Sequence, residues 1–237
     1  MGISLTKIER AAVLLLGGSG LRFGGDKPKQ FTLVEGKLLF LYPLEKLQAN
    51  ENVEAILLVA PHDYVDFVTK TTQELGLSKV IGVIPGGETR QDSSRRATSF
   101  LVQKGLAPSS LVMVHDADRP NLLDHYIDEG FTKALPEGAS VTAILASDSI
   151  AISCDGKCLE EYKNRATVFQ LQTPQTFVLS LLSTAHEKAY EKRMSYTDEG
   201  SMVLEQTGVK PVIVLGQRSN IKITTVDDLV ELRRGKR

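Results

Sequence analysis

The chain has 237 residues, 42% hydrophobic and 24% charged, with a formal net charge of -1 at pH 7. That length allows one large buried core, and a charge near zero excludes the broad basic face of a general nucleic-acid binder, so any electropositive site must be local. Cys154, Cys158 and four histidines have no spacing that completes a zinc site, so reduced thiols in a cytoplasmic protein are expected.

The start lacks the apolar region and cleavage site of a signal peptide, and Gly2 with Thr6 fits only a short, common myristoylation pattern. The first apolar run, Val13–Leu16, reads as a buried strand entering a loop with five glycines between Val13 and Phe31. Arg22, Lys27 and Lys29 lie in that loop with only Asp26 against them. Glycines let backbone N–H groups approach a ligand, and cations neutralise anionic oxygens, so phosphate is the expected ligand. No Gly-Lys-Ser/Thr follows, which excludes a P-loop. After Gly18-x-Gly20 the third fingerprint glycine is replaced by Phe23, which spoils a dinucleotide-binding turn.

Helix-like segments and strands then alternate. Helices are predicted over Leu39–Gln48, Tyr64–Leu75, Asp92–Lys104, Leu123–Lys133 and Leu179–Lys192, and strands over Ala55–Ala60, Val80–Ile84, Leu111–Val114, Val141–Leu145 and Val212–Leu215. This order implies an α/β domain, a mostly parallel sheet with helices on both faces, spanning the chain as one unit. Ligands in such sheets sit beyond the carboxyl ends of the strands. The apolar runs are strand-sized, so no membrane span is expected. Residues from about 146 to 172 break the alternation, and Asp155-Gly156 predicts a two-residue hairpin turn in a projecting β-arm, which serves either dimerisation or nothing beyond a surface hairpin. Near the end, Asn220–Thr224 reads as a short strand, and Thr225-x-x-Asp228 as a capping box opening a last helix.

Several strand ends carry chemistry. His115-Asp116 closes a strand, and a carboxylate there, facing a phosphate loop, is a natural Mg²⁺ ligand. Asp116-Ala117-Asp118 also fits a glycosyltransferase metal motif, or simple turn capping. Gly86-Gly87 ends another strand beside Ser93, where backbone carbonyls and a hydroxyl either read a cytosine edge or form no more than a turn that opens a helix. Gln172-Thr173-Pro174-Gln175, Tyr196–Gly200 and Asn220-Ile221-Lys222 each add a hydroxyl or ammonium.

In order, Gly18-x-Gly20-x-Arg22, Pro28-Lys29-Gln30, Gly86-Gly87 with Asp92-Ser93, His115-Asp116-x-x-Arg119-Pro120, Arg165, Thr173-Pro174-Gln175, Thr197-Asp198-Glu199 and Asn220-Ile221-Lys222 resemble the 2-C-methyl-D-erythritol 4-phosphate cytidylyltransferases of the non-mevalonate isoprenoid route. The resemblance runs from about Ala11 to Leu232. It implies a Rossmann-like fold, CTP and a polyol phosphate as substrates, Mg²⁺ as cofactor and pyrophosphate as by-product. Arg22, Lys29, Arg165 and Lys222 are then the catalytic cations. Leu16, Gly17, Gly18, Ser19, Gly20, Gly86, Gly87, Glu88 and Ser93 join Arg22, Lys29, Asp116 and Lys222 around CTP. Asp116 holds the metal, and Asp116, Arg119, Ser149, Arg165, Thr173, Thr197 and Lys222 face the acceptor. The arm is expected to build a homodimer and to carry Arg165 into the partner's site.

The chain departs from the pattern at Asp118, where many members have alanine, and at Ala146-Ser147-Asp148-Ser149, where Val-Arg-Asp-Thr is common. The first change adds negative charge and the second removes an arginine. A ribitol 5-phosphate cytidylyltransferase shares most of the clamp residues and remains the alternative. A metal-dependent nucleotide-sugar glycosyltransferase and a catalysis-free CTP-binding module are more distant ones.

Overall fold

The computed structural model describes residues 8–17, 28–225 and 227–229. The opening buried run forms β1 (Arg10–Leu15), and two short strands, β2 (Leu33–Val34) and β3 (Lys37–Leu38), pair with each other further on. α1 (Leu41–Ala49) leads to β4 (Ala55–Ala60), α2 (Val65–Glu74) to β5 (Val80–Pro85), and α3 (Arg90–Gln103) to β6 (Leu111–Asp116). α4 (Asp124–Glu137) precedes β7 (Ala139–Leu145), then a hairpin of β8 (Ile150–Ile152) and β9 (Glu161–Lys163), then the long β10 (Phe169–Val178). α5 (Leu179–Glu191), α6 (Glu199–Thr207) and β11 (Val212–Leu215) follow.

Among the described residues the main sheet has seven strands in the order β11-β7-β10-β6-β1-β4-β5. β10 runs antiparallel to both β6 and β7, and the other pairs are parallel. The chain builds outward from β1 through β4 to β5, then returns to lay β6 on the other side of β1. The crevice above that reversal is where such sheets bind ligands.

Both faces of the sheet are covered, which is why its central strands are apolar without alternation. On one face Ala12, Leu14, Ile56, Leu58 and Met113 pack against Leu44 of α1, Val68 of α2 and Tyr126 and Phe131 of α4. On the other, Val13, Leu15, Leu57, Val59 and Val114 meet Ala97 and Leu101 of α3, Leu182 and Ala185 of α5, and Met202 and Val203 of α6. Each such leucine contributes roughly 1.5–3 kcal/mol on burial. Gly138, with φ 85°, takes the left-handed turn that ends α4 and starts β7.

Three features differ from the sequence reading. Asp155-Gly156 is not a two-residue turn: Ile152 pairs with Glu161, leaving residues 153–160 as the loop. There Asp155 Oδ1 accepts from the amides of Lys157 (2.8 Å) and Cys158 (3.1 Å), so its side chain organises a wider bend. β10 and α6 are elements the periodicity hid, the first because Gln172, Thr173, Gln175 and Thr176 are all buried in it. Residues 220–224 form no strand; they cross the ends of β6 and β10. The Thr225–Asp228 box is present, with Asp228 Oδ2 accepting from the Thr225 amide at 2.7 Å.

α5 packs on α3 through His186, whose Nε2 lies 3.2 Å from Ser94 Oγ while Nδ1 has no partner among the described residues. Burial, then the charges of Arg95 and Arg90, push its pKa down to about 3 from 6.5. The unfolded chain therefore binds the extra proton between those values, so this contribution is complete above about 6.5 and disappears as pH falls toward 3. Equilibrium unfolding should show wild type losing about 2 kcal/mol more than His186→Leu between about pH 7 and pH 5. Equal pH dependence of the two proteins would contradict this.

Candidate active site

A cleft of about 300 Å³ opens at the carboxyl ends of β1, β5 and β6. The end of β1 and the turn after it contribute Leu15 and Gly17, the β5–α3 loop Gly87, Glu88 and Thr89, α3 Arg90 and Ser93, and the end of β6 Asp116 and, two residues on, Asp118, with Lys29 and Lys222 completing the wall. The close turn after β5 needs glycine for room, because a Cβ at Gly87 would lie 2.3 Å from that of Asp92. Thr89 caps α3 by accepting from the Asp92 amide, which sets the first turn of that helix against the cleft.

A row of ion pairs spans the cleft. Glu199 at the start of α6 accepts two bonds from Arg90 Nη1, at 2.8 and 2.9 Å, and Arg90 Nε reaches Asp116 Oδ1 at 2.9 Å. Lys222 Nζ is 2.7 Å from Asp116 Oδ2 and 4.0 Å from Asp118 Oδ1. Lys29 Nζ lies 2.6 Å from Asp118 Oδ2 and donates to the Ile223 carbonyl at 2.7 Å. Burial opposes charge on Asp116, but Arg90 first and then Lys222 outweigh it and hold that carboxyl well below the ordinary range. Burial and then the charge of Asp116 push the Asp118 carboxyl the other way, against Lys222 and Lys29. Burial also opposes the Arg90 charge, and Glu199 and Asp116 more than restore it, keeping its pKa above the usual value.

The backbone beneath is fixed by a neutral histidine. His115 is fully buried, and its Nε2 lies 3.1 Å from the Arg119 carbonyl, which can only accept, so the proton sits on Nε2. Nδ1 then accepts from the Thr173 hydroxyl at 3.0 Å, and that hydroxyl accepts from the Asp116 amide at 3.1 Å. Burial pushes the His115 pKa down to about 4, consistent with a neutral ring. Arg119 Nη1 and Asn220 tie the 217–224 segment to β6 and β10, the arginine donating to the Asn220 carbonyl (2.7 Å) and Asn220 Nδ2 to the Thr173 carbonyl (2.9 Å). A backbone bond of 2.8 Å from Ile223 to Asp118 completes the seam.

A second cavity of about 420 Å³ adjoins, lined by Arg119, Ser147, Asp148, Gln172 and Arg218 among others, and Lys222 lines both. A third, of about 430 Å³ between α2 and β5, has no charged side chain in its wall. Among the described residues no three His, Cys, Asp or Glu side chains are grouped to hold a metal alone, so a cation here would take further ligands from substrate and water.

Of the residues singled out in the sequence, Lys29, Gly17, Gly87, Glu88, Ser93, Asp116 and Lys222 share the first cleft, and Arg119 faces the second. Gly18, Ser19, Gly20 and Arg22 lie outside the described residues. Leu16 is buried behind the cleft, its amide bonded to Val59 O at 2.8 Å, and the Gly86 amide is likewise bonded to Ala60 O at 2.8 Å. Ser93 Oγ accepts from the Gly87 amide at 3.1 Å and donates to Thr89 O. Thr173 is spent inside the fold under Asp116 and lines neither cavity. Ser149, Arg165 and Thr197 are exposed and also line neither, with Arg165 donating to the Ser147 carbonyl at 2.9 Å. Sequence reasoning gave Arg90 no role and named Glu199 only within the Thr197-Asp198-Glu199 motif, because the two lie 109 positions apart and meet only in the fold.

A doubly wound sheet with a glycine-lined cleft of paired cations and carboxylates at its carboxyl edge defines a nucleotidyltransferase. The family model of 2-C-methyl-D-erythritol 4-phosphate cytidylyltransferase matches residues 11–233. Proteins of that name from Thermotoga neapolitana and Syntrophus aciditrophicus are similar at 37% and 33% identity, covering 92% and 94% of this chain and the same shares of theirs. The solved 4-diphosphocytidyl-2C-methyl-D-erythritol synthase of Anaerococcus prevotii superposes with a TM-score of 0.82 at 25% identity over 100% of both chains. The Thermus thermophilus 2-C-methyl-D-erythritol 4-phosphate cytidylyltransferase gives 0.72 at 27%, over 94% of this chain and 98% of that one. The chain belongs to the 2-C-methyl-D-erythritol 4-phosphate cytidylyltransferase family.

Arg90→Ala would leave Glu199, 2% exposed, without its cation. An unfolding free energy lower by about 3 kcal/mol is expected from denaturant titration, with Arg90→Lys intermediate. A wild-type midpoint in Arg90→Ala would mean the ion row is not structural.

Proposed function

We propose that the chain transfers the cytidylyl group of CTP to 2-C-methyl-D-erythritol 4-phosphate, releasing 4-diphosphocytidyl-2-C-methyl-D-erythritol and pyrophosphate. The observation that carries this is the convergence of Lys29, Arg90 and Lys222 with Asp116 in one glycine-lined cleft, and the sharing of Lys222 with the neighbouring cavity. An oxygen of the acceptor phosphate attacks the α-phosphorus of CTP, and the bond from that phosphorus to the β-phosphate oxygen breaks. The attacking oxygen is already ionised, so no protein base is required. The barrier is repulsion between anions, and preorganised cations in a partly dehydrated cleft lower it.

Lys29 and Arg22 are assigned to the triphosphate and its developing charge. Lys222 is assigned to the space between α-phosphate and acceptor, and Arg119 to the acceptor side. Gly86, Gly87, Glu88 and Ser93 are assigned to cytosine. Asp116 would hold Mg²⁺, which suits a carboxylate at a strand end facing phosphate and which when bound would neutralise triphosphate oxygens. A homodimer formed through the exposed β8–β9 arm would bring Arg165 to the partner's acceptor site. Leu159 and Tyr162 of that arm, 63% and 74% exposed, support an unfilled contact there. Two exposed free thiols, Cys154 and Cys158, support a reducing, cytoplasmic setting.

Pyrophosphate release from CTP is expected with methylerythritol phosphate and not with UTP or ATP. Comparable release with ribitol 5-phosphate would move the assignment to that acceptor. Lys29→Ala should lower kcat by about 10²- to 10³-fold with a smaller change in KM, and a pure KM effect would remove its transition-state role. Mixed Lys29→Ala and Arg165→Ala subunits should recover part of the activity that each lacks alone. No recovery in verified mixed dimers would refute the shared site.

A further inference from the structure

We propose that Asp116 and Asp118 form a two-carboxylate seat for one divalent cation, which Lys222 occupies as a substitute ammonium when the cation is absent. The inference rests on the cytidylyl-transfer reading and extends it at Asp118.

Asp118 is 4% exposed and lines the cleft, yet its Oδ1 meets no hydrogen-bond donor among the described residues. Its Oδ2 is taken by Lys29 at 2.6 Å. A buried carboxylate oxygen without a partner is costly and marks a place where a ligand belongs. The Lys222 ammonium lies 4.0 Å from Oδ1, and that same ammonium is 2.7 Å from Asp116 Oδ2. One monovalent group thus stands between an oxygen of each carboxylate, close to one and too far from the other. A hard divalent cation takes carboxylate oxygens at about 2.0–2.1 Å and completes its shell with phosphate oxygens and water. Such an ion satisfies both carboxylates and frees the Lys222 ammonium to face the second cavity, which it already lines.

Charge points the same way. Lys29, Arg90 and Lys222 are matched by Asp116, Asp118 and Glu199, so the described ion row has no surplus positive charge for a triphosphate. An alanine at 118 would leave one surplus cation. With aspartate there, the row itself offers a triphosphate no excess cation, and a divalent ion held by the extra carboxylate restores one.

The test is Mn²⁺ binding to the full chain without nucleotide, read from the electron paramagnetic resonance signal of free Mn²⁺. Wild type should bind one ion. Asp118→Asn should raise the dissociation constant by about tenfold or more, the scale on which lost support for a metal site is felt. Lys222→Gln should bind Mn²⁺ more tightly than wild type, because the competing ammonium is gone and both carboxylates remain. Absence of Mn²⁺ binding by wild type, or equal affinity in Asp118→Asn, overturns the seat. If Asp118→Asn does not fold, Lys222→Gln decides, and unchanged or weaker binding overturns it. Pyrophosphate release by the wild type from CTP and methylerythritol phosphate, run alongside, separates the two levels. Transfer with no seat refutes this inference alone, and no transfer at all refutes the activity on which it rests.

Discussion

Everything at the carboxyl edge of this sheet depends on Asp116 remaining charged where water is scarce. An isolated carboxylate there would cost several kcal/mol and take up a proton instead. Arg90 and Lys222 prevent that from opposite sides, and Glu199 in turn holds Arg90. Removing any one group exposes the next, so the four behave as a unit. Their value for phosphate chemistry is that they are already oriented, and little reorganisation is left when an anion arrives.

The supporting layer is less visible and equally specific. A neutral His115 reads the Arg119 carbonyl with one nitrogen and turns the Thr173 hydroxyl with the other, and that hydroxyl receives the Asp116 amide. Gln175, two residues on, accepts the Gly200 amide at 2.9 Å and so fixes the start of α6, next to Glu199. One short stretch of β10 therefore locates both carboxylates at the ends of the Arg90 bridge. The polar residues of Thr-Pro-Gln serve as a bracket from inside the sheet.

What the sequence discloses divides along physical lines. β1, β4 and β6 were legible because strands covered on both faces need unbroken apolar runs, Asp116 because it closes such a run, Lys29 because it belongs to a glycine-rich loop of cations, and Lys222 through the Asn220-Ile221-Lys222 motif. β10 was not, since Gln172, Thr173, Gln175 and Thr176 look solvent-facing until their internal hydrogen bonds are known. Arg90 and Glu199 carry no local pattern; their meaning is the contact between them. Asp118 stands out in the sequence as an added negative charge and as half of an Asp-x-Asp pair, but its pairing with Lys29 depends on how the 3₁₀ turn at Lys29–Phe31 meets the end of β6. The Asp155-Gly156 turn misled because a carboxylate that binds two amides widens the loop that glycine alone would have closed.

The bond from Lys29 to the Ile223 carbonyl joins residues 194 positions apart, and the bond from Ile223 back to Asp118 locks the same seam. No local pairing can form that seam, because its members meet only once the sheet between them is in place. Without the 217–224 segment the cleft would lack one wall and the Lys222 ammonium. The nucleotide pocket is therefore a product of the tertiary fold rather than of any one loop, and a change that loosens the seam reaches Lys29, Asp118 and Lys222 together.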